Sequence, residues 1–164
     1  MKKKEAEDMA EGLTIKGTFT GLVTSSTGEV LNVVSQENHI TTLGWDNICD
    51  VIGQVPQPGP ITHLGIGWGA GATTPFNPGQ TDLQGANTSR KSCSYTHAAG
   101  TTTFFLEAVW GVNEPSATSI TIEEGGTFLQ AVGGTMVSRS VLAATTKDPS
   151  QYYTLRWSFE LGTA

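Results

Sequence analysis

The stretch Ile61–Gly85, ITHLGIGWGAGATTPFNPGQTDLQG, decides how the rest of the chain is read. An apolar, strand-like run enters four alternating glycines, Gly65, Gly67, Gly69 and Gly71, and then a proline-studded loop. A dinucleotide-binding glycine loop needs a helix to start at its glycines, so that the helix N-terminus meets the pyrophosphate. Here ATTPFNPGQ follows, and Pro75 and the Pro78-Gly79 pair forbid that helix. A P-loop fails as well, because no Gly-Lys-Ser/Thr closes the stretch. Alternating glycine in a strand instead marks close backbone approach, or a face covered by something bulky such as Trp68. The glycines read as architecture, and the stretch reads as strand and loop.

Working outward, the remaining segments read the same way. In LTIKGTFTGLVTS, Ile15, Phe19 and Val23 share one parity and Lys16, Thr18 and Thr20 the other, which is the period of a half-buried strand. SSTGE turns the chain into VLNVVSQEN, so residues 14 to 36 form a hairpin. HITTLGWDNICDVIGQ has helical spacing in Leu43, Trp45, Ile48, Cys49, Val51 and Ile52; Thr41 or Thr42 caps its start, and Gly53, Pro56, Pro58 and Pro60 close it. A second hairpin turns at Ala98 to Thr101, and TTKDPS supplies the last turn. The final segment alternates Tyr153, Leu155, Trp157 and Phe159 against Thr154, Arg156, Ser158 and Glu160. About eight strands at this spacing, with one short helix, predict an all-β chain: an antiparallel, jelly-roll-like β-sandwich over residues 13–164, preceded by an N-terminal arm, residues 1–12.

Composition agrees and removes several function classes. Of 164 residues only 15% are charged, 20 are glycine, and four Trp, six Phe and three Tyr must be buried somewhere. A net charge of −6 excludes a phosphate-backbone partner, and the one basic cluster, Lys2, Lys3 and Lys4, runs straight into Glu5, Glu7 and Asp8. No nucleic acid is expected. The start lacks the apolar core of a secretory signal, and no run of about 18 apolar residues spans a membrane. Cys49 and Cys93 read as free or buried thiols of a reduced compartment, so a cytoplasmic origin is expected.

Nothing reads as catalytic. His39, His63 and His97 are isolated, whereas a metal site on a jelly roll wants paired histidines and a carboxylate. Glu123 and Glu124 are adjacent, so a strand points them to opposite faces and leaves one solvated. Neither a Gly-x-Ser-x-Gly elbow nor a cysteine in a protease-like setting occurs. No cofactor and no metal are expected.

Three segments in order resemble a family of small tailed-bacteriophage structural proteins, of the tail, tail-fibre-like or capsid-decorating kind. VLNVVSQENHITTLGWDNICDVIG resembles its hairpin-to-helix element. ITHLGIGWGAGATTPFNPGQTDLQGANTSRK is similar to its second element through Gly65, Gly67, Thr74, Pro75, Thr81, Leu83 and Arg90. ITIEEGGTFLQAVGGTMVSRSVLAATTKDPSQYYTLRWSFEL resembles the third, with Lys147 in the turn and Trp157 in the closing strand. The chain departs from the family between Leu83 and Arg90, where QGANTS replaces a stretch that usually holds a glutamate ion-paired to the arginine.

The resemblance implies a non-enzymatic virion component, made in the host bacterial cytoplasm and homo-oligomeric, a trimer for instance. A receptor-binding fibre needs a shaft, and the chain has neither heptads nor repeats. The expectation is therefore a capsid decoration or cement subunit that meets the major capsid protein or tail proteins through its arm (Lys2, Lys3, Lys4) and the loop Gly69–Asn87 (Trp68, Pro75, Phe76, Pro78). The alternative is a tail or tail-fibre component, or a carbohydrate-binding module with Trp68 or Trp110 as a stacking platform.

Overall fold

The computed structural model describes residues 13–53, 59–133 and 135–163. The arm with Lys2, Lys3 and Lys4, and the closing prolines Pro56 and Pro58, lie outside them. Ten strands and one helix follow in the order β1 (Leu13–Thr24), β2 (Val30–Glu37), β3 (His39–Ile40), α1 (Thr42–Gly53), β4 (His63–Trp68), β5 (Asn87–Ser92), β6 (Ser94–His97), β7 (Thr103–Trp110), β8 (Ile120–Phe128), β9 (Met136–Lys147) and β10 (Tyr152–Thr163). They form two five-stranded antiparallel sheets, β2-β1-β10-β7-β6 and β3-β9-β8-β4-β5. This is the all-β sandwich the alternation predicts, with two strands more than the expected eight. One of the two is the short β3, His39–Ile40; the other arises where the chain changes sheet, the strand entering the hairpin at Ala98–Thr101 being split at Cys93 into β5 in one sheet and β6 in the other.

The long hairpin partner of β1 is not its nearest neighbour in sequence alone. β1 pairs with β10 along its whole length, from Leu13↔Thr163 to Thr24↔Tyr152, as well as with β2. That register sets Phe19 beside Trp157 and Val23 beside Tyr153, and Phe19, Val23, Tyr153, Leu155, Trp157 and Phe159 point inward. Tyr153, Leu155, Trp157 and Phe159 enter the core as their alternation predicts, facing Leu64, Ile66 and Ile122 from the second sheet. Trp157 meets Phe159 edge-on with ring centroids 4.6 Å apart, and Phe104 stacks on Phe159 at 5.0 Å. Trp110 is fully buried, and its indole N–H donates to Ser89 Oγ at 2.9 Å.

Tyr153 brings a polar atom into this core without a protein partner. It is fully buried, its hydroxyl makes no hydrogen bond, and burial pushes its titration well above the ordinary tyrosine range. The hydroxyl lies over Gly21, where an added Cβ would stand 2.2 Å from it. Tyr153→Phe is expected to leave stability unchanged or raise it by up to about 1 kcal/mol, because an unsatisfied buried hydroxyl is itself unfavourable. A thermal melt that falls by more than that amount would show a hydrogen bond at this oxygen.

Two expectations need correcting. α1 starts as predicted, with Thr41 as cap: its hydroxyl accepts from Gly44 N–H at 2.9 Å and donates to the Met136 carbonyl at 2.5 Å. Its apolar side chains do not form the buried face, however. Gly44 alone is buried, because the helix touches β9 so closely that a Cβ there would lie 2.0 Å from the Val137 carbonyl oxygen. Ile48 packs partly on the core, while Leu43, Trp45 and Ile52 are exposed. The second correction is Lys147, which ends β9 instead of sitting in the turn; the turn follows, closed by Gln151 N–H donating to the Asp148 carbonyl. Lys147 is 1% exposed, and burial lowers its ammonium below the ordinary lysine range, opposed by Glu114 and Asp148.

Candidate functional site

The glycine run and the loop after it are tied down by side chains from β8 and β9. β4 lies between β8 and β5, with Gly67 opposite Glu124 on one side and Gly65 opposite Arg90 on the other. Of the adjacent glutamates, Glu124 is fully buried and Glu123 is half-buried beside an open cleft. A β-bulge sets their directions: the β4–β8 register shifts between Gly67 and Trp68, so Glu123 is left unpaired, Ile122 packs in the core between the sheets, and Glu124 turns to the opposite face, under the loop. Gly67 makes the space, since a Cβ there would lie 2.1 Å from Glu124 Oε1.

Glu124 and Arg139 are both completely buried and ion-paired, Arg139 Nε donating to Glu124 Oε2 at 2.8 Å. Each also grips one arm of the loop. The carboxylate accepts the backbone N–H of Gly85 at 2.6 Å and of Gln84 at 3.1 Å. The guanidinium donates from Nη1 to the Thr74 carbonyl at 2.9 Å, from Nη2 to the Ala72 carbonyl at 3.1 Å, and to Gln80 Oε1 at 3.3 Å. Nearly every lone pair and proton of the pair is thus engaged, the condition under which a buried ion pair is tolerable. The two strands of the loop are drawn together above it: Ala86 N–H donates to the Ala70 carbonyl, and Gly71, at φ +93°, passes so near Gln84 that a Cβ would sit 2.3 Å from its carbonyl oxygen.

Further ties fix the tip. Asn77 Oδ1 accepts Gly79 N–H, Gln80 Oε1 accepts Asn77 N–H, and the Pro78 carbonyl accepts Thr42 N–H at the start of α1. Phe76 stacks on His39 at 4.8 Å. Pro75 and Phe76 border an open concavity of about 640 Å³ with Thr74, Asn77 and Gln80, and Pro78 is exposed beside it. At the loop's other end Arg90 takes Asp82, with Nη2 2.7 Å from Oδ1, donates to the Gly133 carbonyl at 2.6 Å, and lies 3.5 Å over the Phe128 ring. The acid expected between Leu83 and Arg90 therefore has its counterpart one residue before Leu83.

The sequence-predicted contact residues fall into separate places. Pro75, Phe76 and Pro78 share the loop tip. Trp68, at the end of β4, packs partly on the core and lines a second open cleft with Asn87, Ser116, Thr121 and Glu123. Trp110 cannot stack on a sugar from the core. The histidines are dispersed over β3, β4 and β6, and no group of three metal-ligating side chains occurs among the described residues. Cys49 is exposed and Cys93 half-buried, both free, with burial raising the Cys93 thiol. No described helix is long and apolar enough to cross a membrane. Compared with protein-family profiles, curated proteins and solved structures, the chain matches none of them.

Arg139 and Glu124 escaped the sequence reading as a pair. The available signal was an arginine between the apolar pairs Met136-Val137 and Val141-Leu142, together with a glutamate followed by two glycines; a charge buried with such neighbours must find a partner.

Proposed function

We propose that this chain is a non-enzymatic structural subunit of a tailed-phage virion that decorates or cements the capsid, docking through its N-terminal arm and the Gly69–Asn87 loop. The observation that supports it is the loop's rigidity. Ion-paired, fully buried side chains anchor both of its arms, so the tip with Pro75, Phe76 and Pro78 is held in one shape before any partner arrives. Binding through a preformed loop avoids the ordering cost that a flexible one incurs.

Cryo-electron microscopy of the assembled particle carrying this chain tests the placement: density at lattice positions on the shell is expected, and density on the tail alone overturns it. Deleting residues 1–12 should lower shell occupancy about tenfold or more, as loss of an anchoring segment does; unchanged occupancy removes the arm from the reading.

One observation favours a second reading, carbohydrate binding. Trp68 borders an open cleft whose other walls carry amide, hydroxyl and carboxylate groups, the combination of platform and hydrogen-bonding partners that sugars use. A glycan array bound by the protein and lost on Trp68→Ala would establish it, and a blank array would end it.

A further inference from the structure

The four outer edges of the two sheets are protected unequally. β3 offers two residues and β6 four, and β5 carries Arg90 and Lys91 near its centre. Short edges and edge charges are the usual means of preventing strand addition. β2 has neither. It is eight residues long, holds no Lys, Arg or Pro, and its only charge is Glu37 at the end. Val30, Leu31 and Val33 are 56%, 48% and 54% exposed. One side of β2 pairs with β1, and no described strand pairs with the other. Its Glu37 end is tied to the second sheet, where Ser140 Oγ donates to the Glu37 carbonyl at 2.7 Å, so the open stretch is Val30–Gln36.

We propose that β2 is a self-pairing edge: two copies of this chain join through an antiparallel β2–β2 contact about a two-fold axis and fuse their five-stranded sheets into one. Charge selects the second copy as occupant. At a net charge of −6 two copies repel over most of their surface, and Val30–Gln36 is a neutral strip where they can meet. A strand paired with itself keeps each side chain on its own face only when the pairing centres on a residue, because faces alternate with period two. Centred on Val33, the contact sets Asn32 against Val34, Leu31 against Ser35 and Val30 against Gln36, all uncharged, and Glu29 meets Glu37 only beyond the two ends of the strip. On β5 a pairing centred on Arg90 would bring that guanidinium against its own copy. A charged foreign partner would find no complementary charge on the β2 strip. The inference does not depend on a virion location.

Light scattering on the full-length chain across micromolar concentrations, in low and high salt, tests it. A species of twice 17.3 kDa is expected, and more of it in high salt, which screens the net charge of the two copies and the Glu29–Glu37 pairs at the ends of the contact. Val33→Lys places two ammonium groups across the axis and should raise the dimer dissociation constant about tenfold or more. Tyr95→Lys, on the opposite edge strand β6, should leave it unchanged. Circular dichroism and an unaltered melting midpoint confirm that Val33→Lys folds; Leu31→Lys, equally exposed on β2, gives a second reading should it not. A monomer at every concentration, an oligomer that both β2 variants leave intact, or one that Tyr95→Lys dissolves equally, overturns the proposal.

Discussion

Glu124→Ala lowers the stability of the fold by about 3–5 kcal/mol, the range for removing one partner of a buried ion pair. The loss has two sources in the structure. Arg139, with no exposed surface, keeps three neutral acceptors but no counter-charge. The N–H groups of Gln84 and Gly85 lose the oxygens they donate to. Urea unfolding measures the global effect, and faster hydrogen exchange at Gln84 and Gly85 together with new proteolytic cutting between residues 69 and 87 measures release of the loop. The coupled variant Glu124→Leu/Arg139→Met should lose less than the sum of its single changes, since neither charge is then stranded. A Glu124→Ala protein within about 1 kcal/mol of the parent would show that the pair does not anchor the loop.

Gly67→Ala should cost about 3 kcal/mol, at the upper end for overpacking. An alanine Cβ there would stand 2.1, 2.7 and 2.8 Å from Oε1, Cγ and Cδ of Glu124, and the carboxylate cannot withdraw without dropping the loop amides and Arg139. Gly53→Ala, where nothing lies within 4 Å, is the control and should be neutral or mildly stabilising. The penalty at Gly67 should shrink when Glu124 is already alanine, because the colliding atoms are gone. An equal penalty in both backgrounds would place the strain in the backbone of β4 and not in the carboxylate above it.

These two results bear on why part of the molecule was readable from residue order and part was not. The strand pattern of β10, the cap at Thr41, the turn after Thr24 and the exclusion of a nucleotide loop by Pro75 and Pro78 all follow from local chemistry: alternation of face, a hydroxyl at a helix start, a missing N–H. The orientation of α1 did not follow, because a helix with exposed Trp45 and Ile52 and a buried Gly44 contradicts its own hydrophobic pattern; contact of its backbone with the Val137 carbonyl outweighs that pattern. The division of the Ser89–Trp110 segment between two sheets was hidden for a similar reason, since both halves alternate alike and only their partners differ.

Residue order alone establishes that this is a β protein with strands of known face, one capped helix, and glycines that serve structure. Folding settled what those glycines are for. A bulge one residue long turned Glu124 off the core face that Ile122 occupies and under the loop, across from Gly67 and within reach of an arginine fifteen positions onward, and a buried charge is stable only where such groups from distant strands converge on it. Side-chain alternation is a property of neighbours along the chain and can be read there; that convergence belongs to three strands and a loop at once, and exists only after they have packed.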